Sequence, residues 1–90
     1  MGIRSLIFGW GWKVRHLRKR WDREREKALK KEEPLRSRLL EKLDKTEEKL
    51  RILEERRLSR WDRARFSKEI EIDLEEIKAM MDAKPEELEQ

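Results

Sequence analysis

The sequence predicts an all-α protein of elongated helices, arranged as a helical hairpin or short coiled coil. A basic, Trp-rich N-terminal segment precedes the helices and a short acidic tail follows them. Three observations carry this. Ala, Glu, Lys, Leu and Arg make up 57 of the 90 residues, the composition of long helices. Apolar residues recur in alternating steps of three and four through most of the chain. Both prolines, Pro34 and Pro85, fall between such stripes or after them rather than inside.

Residues 1–31 form the first segment. Ile3, Ile7, Trp10, Val14, Leu17 and Trp21 share one helical face, and no acid occurs before Asp22. Gly9 and Gly11 each cost about 1 kcal/mol against Ala in a helix, so the helix is expected to begin near Trp12, behind an irregular aromatic lead. Residues 34–83 form the second segment, a charged amphipathic helix or helix pair. Pro at a first helical position loses no hydrogen bond, which places a helix start at Pro34. Leu39, Leu43, Thr46, Leu50 and Leu53 then mark its apolar seam. A seam this short falls below the three or four heptads of an autonomous coiled coil, so it is expected to need a partner surface. After Leu58 the register shifts, and Trp61, Ala64 and Phe66 lead into Ile70, Leu74, Ile77 and Met81. Ile70 to Leu74 also alternate as a strand would, but the longer period continues to Ile77, which favours helix. Two arrangements stay open: one straight helix from Pro34 to Asp82, or a bend near residues 58–67 that folds the segment into a hairpin, in which case Ser67 is the cap of the new helix. Pro85 ends the element, and residues 84–90 are an acidic tail.

Charge is sorted along the chain. The net charge of +4 divides into +8 over residues 1–31, +2 over 32–66 and −6 over 67–90. One end seeks an anionic surface that the other repels. The alternative is that the two ends attract each other, within a chain or between copies.

Several function classes are excluded or weakened by composition. With no Cys there is no thiolate metal site and no cysteine nucleophile. His16 is the single histidine, and all three Gly lie in the first dozen residues, so no Gly-rich phosphate loop is present. Glu69, Glu71, Asp73, Glu75 and Glu76 occupy several helix faces with no loop of Ca²⁺-binding form. No catalytic residue, metal ligand, cofactor site or small-molecule substrate is therefore assigned. The chain is expected to be a non-enzyme.

The candidate surface is one of adhesion. Phe8, Trp10, Trp12, Trp21 and Trp61 supply apolar anchors, and Lys13, Arg15, Arg18, Lys19 and Arg20 supply attraction. The apolar run from Ser5 to Trp12 is far shorter than the roughly 20 residues that span a bilayer, which leaves an interfacial anchor as the membrane reading. An acid-free, Arg-bearing, amphipathic start is also similar to mitochondrial targeting segments. The expectation is an accessory or assembly subunit of a larger, membrane-associated protein complex, at the mitochondrial inner membrane, with an anionic membrane surface as its second partner. The competing reading is an RNA-binding accessory protein of a ribosome-like particle, with Trp stacking on bases and cations on phosphates. Pro34, which interrupts the helix, and the absence of Asn both argue against a bZIP layout. Finally, Arg20-Trp21-Asp22-Arg23-Glu24-Arg25 recurs as Arg60-Trp61-Asp62-Arg63-Ala64-Arg65, five of six residues identical, either as a repeated binding element or by coincidence.

Overall fold

The computed structural model describes residues 2–83, with side chains from residue 11 onward. It is all-helical: α1 spans Gly2–Leu29, α2 Leu35–Glu55 and α3 Arg60–Asp82. The side chains of Phe8 and Trp10, and the acidic tail with Pro85, lie outside the described residues.

Helix α1 starts at Gly2, ten residues before the expected Trp12. The two glycines do not break it, because the period that includes Ile3, Ile7 and Trp10 continues unbroken into Val14 and Leu17. Stripe continuity outweighs a local cost of about 1 kcal/mol per Gly. Chain reversal after α1 runs through Lys30 to Pro34, with a cis peptide bond at Glu33-Pro34. Pro34 is the N-cap of α2 rather than its first residue, and it offers no side chain to the free amides. The second reversal comes at residues 56–59, at the near edge of the expected interval. Its cap is Ser59, whose Oγ accepts from the Asp62 amide at 3.1 Å. Ser67 is not a cap but a buried residue inside α3, eight positions later. The hydroxyl with an unsatisfied amide within reach is the one at the start of the helix.

Cross-helix contacts fix the packing directions. Trp21 meets Leu43, and Arg18 meets Glu47 and Glu54, so α1 and α2 run antiparallel. Lys42 meets Glu76 and Lys49 meets Asp73, so α2 and α3 are antiparallel as well. Lys13 with Glu71 and Arg20 with Glu75 then make α1 and α3 parallel. Residues at steps of three, four and seven along each helix line the shared interior: Leu17, Trp21 and Ala28 from α1; Leu39, Leu43, Leu50 and Leu53 from α2; Ile70, Leu74, Ile77 and Met81 from α3. The short seam of α2 thus finds its packing surface inside the chain, on α1 and α3. The expectation that it needs an outside partner is corrected. Three seams close one core, which none of them fills alone.

Each seam carries one buried polar residue: Glu24, Thr46 and Ser67. Thr46 is satisfied, its Oγ1 donating to the Lys42 carbonyl at 2.9 Å with the Asp73 carboxylate 3.3 Å away. Among the described residues, Glu24 Oε2 and Ser67 Oγ find no hydrogen-bond partner.

Candidate functional site

Because α1 and α3 are parallel, the start of α1, the end of α2 and the start of α3 meet at one end of the molecule. Residues 56–65 at this tip hold five Arg and one acid, Asp62, with Glu54 and Glu55 ending α2 beside them; residues 11–15 of α1 add Lys13, already paired with Glu71, and Arg15. The opposite tip, residues 24–38 and 78–83, holds seven against five. Two indoles are exposed, Trp12 of α1 at 62% and Trp61, in the first turn of α3, at 82% exposure. Trp12 stacks on His16, with ring centroids 5.8 Å apart and planes 11° from parallel. Positions 12, 16, 19 and 23 fall on one helical stripe, so Trp12, His16, Lys19 and Arg23 line the outer face of α1, all of them exposed. Arg15 is exposed beside them and folds back to donate to the Gly11 carbonyl at 3.3 Å.

Among the described residues, Trp21, Arg18, Lys13 and Arg20, also assigned to adhesion from sequence, point elsewhere. Trp21 is a core residue, 6% exposed, with Nε1 donating to the Leu43 carbonyl at 2.9 Å. Its place in the surface list is corrected: position 21 lies on the same stripe as Leu17 and Ala28, and the indole N–H finds a carbonyl lone pair on α2. Arg18 lies over the Trp21 ring, 5.1 Å from its centroid, and forks onto Glu54 at 2.7 and 3.0 Å while reaching Glu47 at 3.2 Å. The hydrogen bond to Glu54 leads the effects that push its guanidinium pKa above the ordinary value, against the lowering effect of desolvation. Lys13 pairs with Glu71 at 2.9 Å, and Arg20 with Glu75. The acids of α3 are engaged in the same way. Glu71, Asp73, Glu75 and Glu76 each meet a cation of α1 or α2, which accounts for a stripe that on sequence invited a cation-site reading. The opposite signs of the chain's two ends therefore attract each other within the molecule.

Sequence reasoning missed the arginine cluster at the second reversal: Arg56, Arg57, Arg60, Arg63 and Arg65 within ten residues. Its signal was local density, masked by the high Arg content of the whole chain. Arg63 Nε donates to the Leu58 carbonyl at 3.1 Å, and Arg65 lies 3.4 Å from Asp62 and over the Phe66 ring. Arg56, Arg57 and Arg60 are exposed around Trp61.

Two open hollows lie away from this tip. One, of about 240 Å³, is bordered by Glu24, Lys27, Lys30, Lys31 and Lys78, and the other, of about 460 Å³, by Trp21, Arg25, Asp44 and Glu47. Among the described residues no group of three His, Asp or Glu is arranged to hold a metal ion, and no helix is long and apolar enough to cross a membrane. No family model matches the chain, and neither the curated proteins nor the solved structures give a match.

Proposed function

We propose that this chain is a non-enzymatic helical accessory or assembly subunit that docks by its basic, indole-bearing tip on an anionic membrane surface within a larger protein complex. In this reading the α2–α3 hairpin is the scaffold that holds the tip. The observation that carries it is the exposure of two indoles, Trp12 and Trp61, in segments rich in cations: residues 11–15 and 56–65 hold seven Lys/Arg and one acid. Indoles favour the headgroup layer because one edge is polar and the ring is apolar. A cation near an anionic bilayer contributes about 1 kcal/mol, and the effect fades over a Debye length of about 8 Å. Three or four cations at contact thus supply about 3–4 kcal/mol, a millimolar interaction by themselves. An interaction that weak orients a subunit held by further protein contacts, which is why the reading is an accessory subunit and not an autonomous anchor. The acid-free, Arg-bearing start of α1 supports the mitochondrial inner membrane as the location.

Flotation with phosphatidylserine- or cardiolipin-containing vesicles against pure phosphatidylcholine vesicles tests this. Binding to the anionic vesicles at low salt, lost in the Trp12→Ala/Trp61→Ala double variant, is the expected result. No binding at low salt sinks the membrane reading. Retention on single-stranded RNA with a steep fall in log affinity against log salt, and no vesicle binding, would instead favour the ribonucleoprotein reading.

A further inference from the structure

We infer that Ser59 is a phosphoacceptor for a basophilic serine kinase, and that its phosphate releases the basic tip from the anionic surface. The second half of this inference rests on the docking reading; the first half does not. Arg56-Arg57-Leu58-Ser59 places two guanidinium groups three and two residues before the hydroxyl. Kinases of this class select substrates by acidic pockets that take cations at those positions. Ser5, Ser37, Ser67 and Thr46 lack that pair.

The conformation suits the same event. Arg56 and Ser59 have extended backbone, at φ −102°, ψ 148° and φ −65°, ψ 163°, and residues 57–59 belong to no helix. Arg56, Arg57, Ser59 and Arg60 are exposed. To enter a kinase cleft the segment must also release the first turn of α3, which lies ahead of the buried part of that helix. Trp61 is 82% exposed, and the first fully seated α3 position is Ser67. The contacts given up include the Asp62 amide to Ser59 Oγ, the Arg63 amide to the Ser59 carbonyl at 2.9 Å and Arg63 Nε to the Leu58 carbonyl.

In the transfer, Ser59 Oγ attacks the γ-phosphorus of Mg-ATP. The Oγ–P bond forms as the bond from that phosphorus to the β–γ bridging oxygen breaks, ADP leaves, and the hydroxyl proton passes to the kinase base. The product adds about −1.5 to −2 charges at pH 7 to a tip whose residues 11–15 and 56–65 sum to +6. Its oxygens sit at the start of α3, where amides and the neighbouring Arg60 and Arg57 attract them. Those arginines are then turned inward on the phosphate and away from the membrane. Losing two cation contacts corresponds to roughly thirtyfold weaker vesicle binding.

The full chain should be incubated with the catalytic subunit of cyclic-AMP-dependent protein kinase and Mg-ATP, and then mapped by mass spectrometry. One phosphoryl group on Ser59 is expected, with kcat/KM reduced at least tenfold in the Arg56→Gln/Arg57→Gln variant. No transfer, or transfer first to another hydroxyl, overturns the assignment. The phosphorylated chain should keep its helical circular-dichroism signal and bind phosphatidylserine vesicles about thirtyfold less tightly than the unmodified chain. Unchanged binding, or loss of helix in step with loss of binding, overturns the electrostatic release. An unmodified chain that never binds vesicles, yet is phosphorylated on Ser59, sinks the docking reading and with it the release, and leaves the phosphoacceptor assignment standing.

Discussion

The two copies of Arg-Trp-Asp-Arg lie in helices with opposite fates. Trp21 is buried and hydrogen-bonded to α2, and Trp61 is the most exposed large apolar residue among those described. Local sequence does not separate them, since five of six residues agree. Register does. Position 21 sits four after Leu17 and seven before Ala28, on the seam of α1, whereas position 61 lies nearly opposite Leu74 and Met81 around α3. The neighbours differ accordingly: Arg20 reaches Glu75 on α3, and Arg60 is exposed. An aromatic-basic motif in a helical protein is therefore not a binding element until its phase against the seam is known.

The largest expected difference tests that phase directly. Trp21→Ala should destabilise the chain by about 3–5 kcal/mol, as for other large core aromatics, and Trp61→Ala should change stability by no more than about 0.5 kcal/mol. Urea unfolding followed by circular dichroism measures both. For 90 residues the total is roughly 5–13 kcal/mol, so the first variant stands near the limit of folding. Equal effects at the two positions would remove the register argument.

Most of the core was legible from spacing alone. Leu39, Leu43, Thr46, Leu50 and Leu53 were read as one seam, and Ile70, Leu74, Ile77 and Met81 as another, and all nine are buried. The fate of Trp61 was also within reach, because extending the α3 seam backwards from Ile70 reaches Ser67 and Arg63 and bypasses position 61. The bulk of Trp and Phe66 drew the reading off phase. Less legible was which cations stay exposed. Whether a Lys or Arg faces water or a carboxylate depends on which helices become neighbours, and that follows from how three stripes close on one another. Arg18, Arg20 and Lys13 were therefore counted as surface attraction although each meets an acid of α2 or α3.

A smaller effect divides the Trp21 contribution. Trp21→Phe keeps most of the apolar ring and removes the N–H to the Leu43 carbonyl, so a loss of about 1–2 kcal/mol is expected. A loss as large as that of Trp21→Ala would mean that the hydrogen bond, not the packed ring, fixes this residue. Next in size is the cap that places the second copy at a helix start. Ser59→Ala should cost about 1 kcal/mol, because the Asp62 amide loses its acceptor. Ser59→Asp retains an acceptor there and should recover much of that loss in the same unfolding assay.

The smallest effect contrasts the starts of α2 and α3 and is read as a pH dependence. Ahead of α2, Ser37 Oγ donates to the Glu33 carboxylate, and Arg36 Nε donates to it at 3.1 Å. The Ser37 bond is the largest effect on the Glu33 carboxyl; desolvation opposes it, Arg36 and the Ser37 amide add to the lowering, and the balance holds the carboxyl below its usual range. A carboxyl whose folded value is depressed contributes its stability above the unfolded value and loses it as pH falls through the folded one. The start of α2 is therefore acid-sensitive through Glu33. The cap at α3 is a hydroxyl accepting from an amide, and that bond has no titration of its own. Carboxyl-detected NMR titration should find Glu33 shifting upward in Ser37→Ala, toward the ordinary carboxylate value, and unmoved in Ser59→Ala. A Glu33 titration that Ser37→Ala leaves in place would show that Arg36 alone sets it, and that the hydroxyl contributes nothing to how α2 begins.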